Sequence, residues 1–260
     1  MTRTALLFLS FGLLAAPALD AEVIVSTSIG LTGLTITPDS GTAQILSGVN
    51  AAANAQVIAD PSGQTPFDAE SAVDDATSAS GVAPFSSASA SASALLVTGN
   101  AASGVNLPGI DGFASTDGNS ELSGSFQFSN GGSTDPVNVS FSAALALSQF
   151  ILTDSAGISA FSEASFQFMI PDFDANGDFI GTLLALDNPI SQGPDSSVDN
   201  TSGPTLSASA LLLPDTPYFF FLELDSESQG LDSATPEPST IWLGVAGLAA
   251  FVLCRRRRIA

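Results

Sequence analysis

Apolar and polar residues alternate with a period of two along much of the chain, the spacing of a strand with one buried face. Val23-Ile24-Val25-Ser26-Thr27 and Leu34-Thr35-Ile36-Thr37 are β-branched runs that stop at Pro38-Asp39-Ser40-Gly41, a turn sequence. Residues 42–49 read as a further strand. From Ser87 to Ala94 serine alternates with alanine and runs on into Leu95-Leu96-Val97. In a strand, all of those alanines face one side and all of the serines the other. Ser125-Phe126-Gln127-Phe128 recurs as Ser165-Phe166-Gln167-Phe168. Each copy precedes a turn and a second apolar strand: Asn130-Gly131-Gly132 leads to residues 137–147, and Asn176-Gly177 to residues 179–186. The repeat predicts two stacked hairpins. Residues 206–213 and 218–225 complete the set. Residues 51–59, rich in alanine, read as a short helix capped by Asn50. Residues 64–84, 100–119 and 187–204 read as polar loops, and 226–235 as a linker. Roughly nine or ten strands with little helix predict an all-β fold, an antiparallel β-sandwich or jelly-roll-like body.

Two stretches depart from the alternation, and both lie at the ends. Met1-Thr2-Arg3 carries one positive charge, residues 5–16 are mostly apolar, and Ala16-Pro17-Ala18 supplies small residues in an A-x-A pattern. Together they predict an N-terminal signal helix over residues 1–18, cut by signal peptidase after Ala18 or Ala21 and too short to span a bilayer. At the other end Pro236-Glu237-Pro238-Ser239-Thr240 precedes an apolar run of 14 residues that starts at Ile241-Trp242 and closes at Leu253-Cys254. Arg255, Arg256, Arg257 and Arg258 follow. The run falls short of the roughly 20 residues of a full span. Ser239, Thr240 and snorkelling arginines stretch it into a single transmembrane helix. The arginines keep their side cytoplasmic and set Trp242 at the opposite interface. The two prolines hold the preceding segment extended outside the membrane, within an enzyme's reach. Residues 19–232 are then a β-rich extracytoplasmic domain, and residues 233–260 a tail.

This order of a Pro-Glu-Pro motif, a short apolar helix and an arginine cluster resembles the PEP-CTERM sorting tail of Gram-negative bacterial proteins. The likeness runs from Pro236 to about Arg258, a small share of the chain. It implies that an exosortase, a membrane cysteine transpeptidase, recognises Pro236, Glu237 and Pro238. It implies a protein inserted in the membrane before processing and then found at the cell surface or outside the cell, in a producer of exopolysaccharide. Cys254 lies outside that motif and reads as a small apolar residue, with an acylation site as the alternative.

Charge sharpens the division between body and ends. The five basic residues are Arg3 and Arg255 to Arg258, and there is no lysine or histidine. All 26 acidic residues lie between Asp20 and Glu237. Cut at Ala18 and near Pro238, the mature chain keeps those carboxylates and has no basic side chain. Such a field repels nucleic acid and anionic headgroups and attracts metal cations and polycations. Charged residues make up only 12% of the chain and apolar ones 45%, so the body can bury a core. The single cysteine sits in the tail, so the body folds without disulfides.

The same inventory limits chemistry. Ser-His-Asp, Cys-His and Schiff-base schemes lack their groups in the body, zinc lacks its usual imidazole and thiolate ligands, and no glycine-rich phosphate loop is present. A carboxylate pair, as in glycoside hydrolysis, survives elimination. Only one tyrosine and one tail tryptophan are available to stack on sugars. With the sorting route and exopolysaccharide-producing setting that the resemblance implies, the reading is a non-catalytic cell-surface or extracellular-matrix protein, associated with exopolysaccharide. The sharpest local motif is Asp172-Phe173-Asp174-Ala175-Asn176-Gly177-Asp178. Asp172, Asp174 and Asn176 occupy positions 1, 3 and 5 of a calcium loop, with glycine at position 6, but Leu183 stands where an EF-hand needs glutamate. Asn176-Gly177 is also the preferred type I′ hairpin pair, and the same turn could present Asp172, Asp174 and Asp178 to calcium. The alternative readings are a calcium-dependent adhesive or polysaccharide-binding module, and a carboxylate-pair glycoside hydrolase. Asp74-Asp75, Asp111 and Asp117 read as solvated loop charges.

Overall fold

The computed structural model describes residues 22–108, 112–153, 159–174, 176–192 and 204–232. The predicted signal helix and the predicted transmembrane helix lie outside them. Every element among the described residues is a strand. In chain order they are β1 (Glu22–Pro38), β2 (Thr42–Ile45), β3 (Asn50–Ala59), β4 (Phe67–Val73), β5 (Ala76–Ala83), β6 (Ser86–Ser93), β7 (Thr98–Pro108), β8 (Gly112–Ser129), β9 (Val137–Thr153), β10 (Ser159–Phe173), β11 (Phe179–Gln192), β12 (Thr205–Leu212) and β13 (Tyr218–Asp232). They form two antiparallel sheets. The first runs β12-β9-β1-β7-β6-β5. The second runs β11-β10-β13-β8-β3-β4, with β2 beside β8.

The inward residues of the two sheets share one core. Phe126 of β8 meets Phe141 of β9 edge to face with ring centroids 5.5 Å apart, and Phe141 meets Phe168 of β10 at 5.7 Å. All three rings are fully buried, each contributing about 1.5–3 kcal/mol by leaving water. Elsewhere the core is built of alanine: Ala53 and Ala55 of β3, Ala79 of β5, and Ala88 and Ala90 of β6 form one buried cluster. Between these zones the sheets are tied by hydroxyls. Thr27 Oγ1 of β1 lies 2.6 Å from Ser162 Oγ and 2.9 Å from Ser228 Oγ, and Ser103 Oγ lies 2.9 Å from Ser228 Oγ. Each of these four hydroxyls thus finds a partner, which offsets the cost of taking it out of water.

Carboxylates pin the ends and the edge of this stack. Asp60, buried after β3, accepts the Ser62 N–H at 2.9 Å, the Phe85 N–H at 3.1 Å, the Ser86 hydroxyl at 2.7 Å and the Ser62 hydroxyl. Burial alone would raise its pKa, but the bonds from Ser62, Ser86 and Phe85 outweigh it and hold the carboxyl below its ordinary range. Asp68 of β4 accepts the N–H of Ser80 at 3.0 Å, which blocks one free donor on edge strand β5.

Several expectations change. Residues 50–59 form β3 rather than a helix: Ala51, Ala53, Ala55 and Val57 are fully buried on one face, and β3 has ladder partners on both sides. Alanine's helix preference, the highest of any residue, is small in energy and gives way to burial and paired backbone groups. The stretches read as polar loops hold β4, β5, β7, the first half of β8 and the end of β11, and the linker begins inside β13. Their serines, asparagines and glycines sit on a solvated strand face or in a crowded interior, so they carry no apolar signal. The run from Ser87 does alternate as expected, with Ala88, Ala90 and Ala92 buried. It ends at Ser93, and Leu95 and Leu96 are exposed in a turn. Of the two expected hairpins only β10–β11 forms. β8 and β9 belong to different sheets, so Phe126 and Phe141 face each other across the core.

The close approach of the sheets is testable at Gly118 of β8. A Cβ there would lie 2.7 Å from the Ala102 carbonyl oxygen and 2.8 Å from that of Ser89, both backbone atoms that cannot swing aside. Gly118→Ala should cost about 1–3 kcal/mol in denaturant unfolding. Gly181→Ala on β11, where nothing lies within 4 Å, should change it by less than about 0.5 kcal/mol. Equal effects would contradict the packing described.

Candidate functional site

The densest group of ionisable side chains lies on the outer face of the second sheet. Strand alternation that sends Phe220, Leu222 and Leu224 of β13 inward sends Glu223, Asp225 and Glu227 outward. The same rule places Asp117 and Glu121 on β8 and Glu163 on β10. Register aligns them in rows across the strands. Glu163 faces Glu227, which faces Asp117. Ser165, Asp225, Asn119 and Asn54 make the next row, and Gln167, Glu223 and Glu121 the third. Asp187 of β11 stands beside Gln167.

Like charges directly opposite one another in a sheet repel, and no basic residue occurs between positions 22 and 232 to offset them. Amides supply part of the compensation. Asn119 Nδ2 donates to Glu223 Oε1 at 2.6 Å, Asn54 Nδ2 donates to Asn119 Oδ1 at 3.3 Å, and Gln229 Nε2 donates to Glu227. One carboxylate oxygen of Asp117 is buried without a hydrogen-bond partner. The rest of the compensation is protonation. Burial, a hydrogen bond with Asp117 and the charges of Asp117, Glu223 and Glu227 push the Asp225 carboxyl up to about 8. Burial and the neighbouring Glu223 raise Glu121 as well.

The predicted calcium turn is organised differently. Asp172 and Phe173 end β10, and the backbone closes between the Asp174 N–H and the Asp178 carbonyl at 2.9 Å, with the Gly177 N–H on the Asp174 carbonyl at 3.0 Å. Gly177 takes a left-handed φ of 86°. Asp174 and Asp178 are thus the closing pair of a three-residue loop with glycine in its last place, rather than a two-residue type I′ turn. The Asp174 carboxylate accepts the N–H of Asn176 at 2.8 Å and that of Asp178 at 2.9 Å, and its other oxygen accepts Asn176 Nδ2 at 3.2 Å. Those bonds, first from Asp178 and then from Asn176, hold its pKa below the ordinary range. Its oxygens are occupied in shaping the turn. Among the described residues no group of three or more Asp, Glu, His or Cys side chains is placed to hold a metal ion.

A groove of about 870 Å³ opens on the first sheet and is lined by Ser, Thr, Asn and Gly residues with Asp68 and Glu70 of β4 at its lip. Asp68 is engaged by Ser80. The other acids read as loop charges fare differently: Asp74 accepts the N–H groups of Gly48 and Val49 at 2.8 and 2.9 Å, and Asp117 sits mid-strand, half-buried. Asp111 lies outside the described residues. So do the sorting-motif residues Pro236, Glu237 and Pro238, the helix residues Ile241, Trp242 and Leu253, and Arg255, Arg256, Arg257 and Arg258. The carboxylate rows escaped notice in the sequence, although Leu222-Glu223-Leu224-Asp225-Ser226-Glu227 carries their signal, acids at every second position after an apolar run.

In comparisons with known proteins, residues 234–258 match the family model of the PEP-CTERM protein-sorting motif. No curated protein and no solved structure matches the chain.

A carboxyl whose folded pKa exceeds its unfolded value stabilises the fold in full below about pH 4, and that contribution is lost as pH rises towards the folded value. For Asp225 the window runs from about 4 to about 8. Thermal melting should therefore fall across that window, and Asp225→Asn should melt higher than the parent at pH 8 and level with it at pH 4. A parent that gains stability from pH 5 to 8, with Asp225→Asn no better at pH 8, would contradict the burial and crowding assigned to Asp225.

Proposed function

We propose that this chain, which carries a PEP-CTERM sorting domain and is thereby an exported exosortase substrate, delivers a non-catalytic, anionic β-sandwich without basic side chains to the cell surface or the extracellular matrix. The observation that carries the reading is the joint one of a sorting motif at residues 234–258 and a body, residues 19–232, with 25 of the chain's 26 acidic residues and no basic one. The motif supplies the route. The body supplies a surface that stays soluble and keeps clear of nucleic acid and anionic lipid. Before processing, the apolar run 241–254 would hold the chain in the membrane with Arg255 to Arg258 inside; afterwards the body would act in the layer of exopolysaccharide outside. Removal of the tail would strip the last basic residues, so processing would change the molecule's electrostatics along with its location.

The other two readings draw less support. Calcium-dependent adhesion was tied to Asp172, Asp174, Asn176 and Asp178, whose best-placed carboxylate is already bonded within its own turn. Glycoside hydrolysis needs two free carboxylates in a cleft, and of the two at the groove Asp68 is engaged by a backbone N–H.

Mass spectrometry of the protein recovered from the producing cells tests the route. A mature form that begins after Ala18 or Ala21 and ends near Pro238, without the four arginines, is expected. Surface protein that retains Arg255 to Arg258 would overturn the processing.

A further inference from the structure

Two asparagines of the chain precede a glycine, Asn130 before Gly131 and Asn176 before Gly177. Such an asparagine is open to attack from its own backbone. The nitrogen of the next residue, once deprotonated, bonds to the side-chain carbonyl carbon. Glycine hinders that approach least, because it has no Cβ. By sequence the two pairs are equally reactive. By exposure Asn176 comes first, since it is exposed and Asn130 is half-buried.

Hydrogen bonding reverses that order. At Asn176 both reacting groups are engaged. The Gly177 N–H, the nucleophile in waiting, donates to the Asp174 carbonyl at 3.0 Å. The Asn176 carboxamide donates to Asp174 Oδ2 at 3.2 Å. Asp174 Oδ1 is held in turn by the N–H groups of Asn176 and Asp178 at 2.8 and 2.9 Å. A carboxylate this close also disfavours the amide anion that must form. At Asn130 neither reacting group is held. The turn there is closed by the Ser133 N–H on the Asn130 carbonyl at 3.0 Å. Among the described residues, the Gly131 N–H and the Asn130 carboxamide have no hydrogen-bond partner. Gly131 and Gly132 take left-handed φ values of 57° and 87°, as both central residues of a type I′ turn do. Nothing lies within 4 Å of where a Cβ would stand on either, so the nucleophile is open to approach.

We propose that Asn130 is a site of spontaneous deamidation in the folded protein, and that the fold spares Asn176. Hydroxide takes the proton from the Gly131 nitrogen, which forms a bond to Asn130 Cγ. The Cγ–Nδ2 bond breaks, and Nδ2 takes a proton from water and leaves as ammonia. The succinimide ring so closed holds Asn130 Cα, Cβ, Cγ and carbonyl carbon together with the Gly131 nitrogen. Water then adds to one ring carbonyl, that carbon's bond to the nitrogen breaks, and the nitrogen regains its proton. Opening at Cγ gives aspartate. Opening at the main-chain carbonyl gives isoaspartate, with an extra methylene in the backbone. Either product adds a carboxylate to a body without basic side chains, in a loop that already holds Asp135. Isoaspartate also lengthens the chain where the turn between β1 and β2 packs against it: a Cβ on Gly41 would lie 3.2 Å from Asn130 Cα.

Peptide mapping by mass spectrometry, on the full-length chain aged in mild detergent at pH 8, tests this. Chymotrypsin separates the two sites, because Phe128 and Phe141 flank one and Phe173 and Phe179 the other. Asn130 should exchange its NH2 for OH, with isoaspartate beside aspartate, roughly tenfold faster than Asn176, the order of difference that two ordinary hydrogen bonds confer. In denaturant those bonds are gone, and the two sites should react at like rates. Asp174→Ala should raise the rate at Asn176 and leave that at Asn130 as it was. Equal rates in the folded protein, or Asn176 ahead, would overturn the proposal. So would an Asn130 that keeps its amide while the denatured chain loses it, or a rate ratio that denaturant leaves unchanged.

Discussion

Phe126, Phe141, Phe166, Phe168 and Phe220 are buried between two sheets whose outer and edge residues include many acids and no bases. That burial is the interaction on which the rest depends. In most proteins of this size, ion pairs offset part of the repulsion among like charges. Here the body has no cation of its own, so the apolar layer and the backbone ladders must outweigh the repulsion unaided. The consequences run through the structure. Carboxylates that are buried either accept several hydrogen bonds, as Asp60 does, or keep a proton, as Asp225 does. Others are spent on turns and an edge: Asp174, Asp74 and Asp68 each accept backbone N–H groups that would otherwise lie open.

Strand parity then sorts the molecule into three zones. Inward positions of both sheets are phenylalanine, leucine and alanine, tied midway by serine and threonine hydroxyls. Outward positions of the second sheet concentrate acids, and outward positions of the first are nearly free of them. A sorting tail that delivers such a body outside the cell gives this division a setting.

Much of this was legible in the sequence. The fold class followed from period-two alternation, and Ser87 to Ala94 announced its buried and solvated sides directly. The sorting motif was legible because Pro236-Glu237-Pro238, an apolar run and four arginines occur in a fixed order. What escaped has a common cause. β3, β5 and β7 bury alanine, serine and glycine where the sheets approach closely, as at Gly118, and β4 buries no residue fully, so these strands carry little hydrophobic signal. The partners of β9 escaped because pairing depends on which sheet a strand enters, and the segment between Phe128 and Val137 reads alike for a hairpin and for a crossing. The carboxylate rows escaped because Glu163, Glu227 and Asp117 are far apart in sequence and meet only through register.

Salt separates a fold held by apolar burial against uncompensated repulsion from one that leans on ion pairs. Added salt screens charges over roughly 10 Å at 0.1 M, so it weakens ion pairs but relieves like-charge repulsion. The direct measurement is the melting temperature of the full-length chain at pH 8 between 10 mM and 500 mM sodium chloride, at constant detergent. A steady rise is predicted, and a smaller one at pH 4.5, where many carboxylates are already protonated. A melting temperature that is flat or falls with salt at pH 8 would contradict the account.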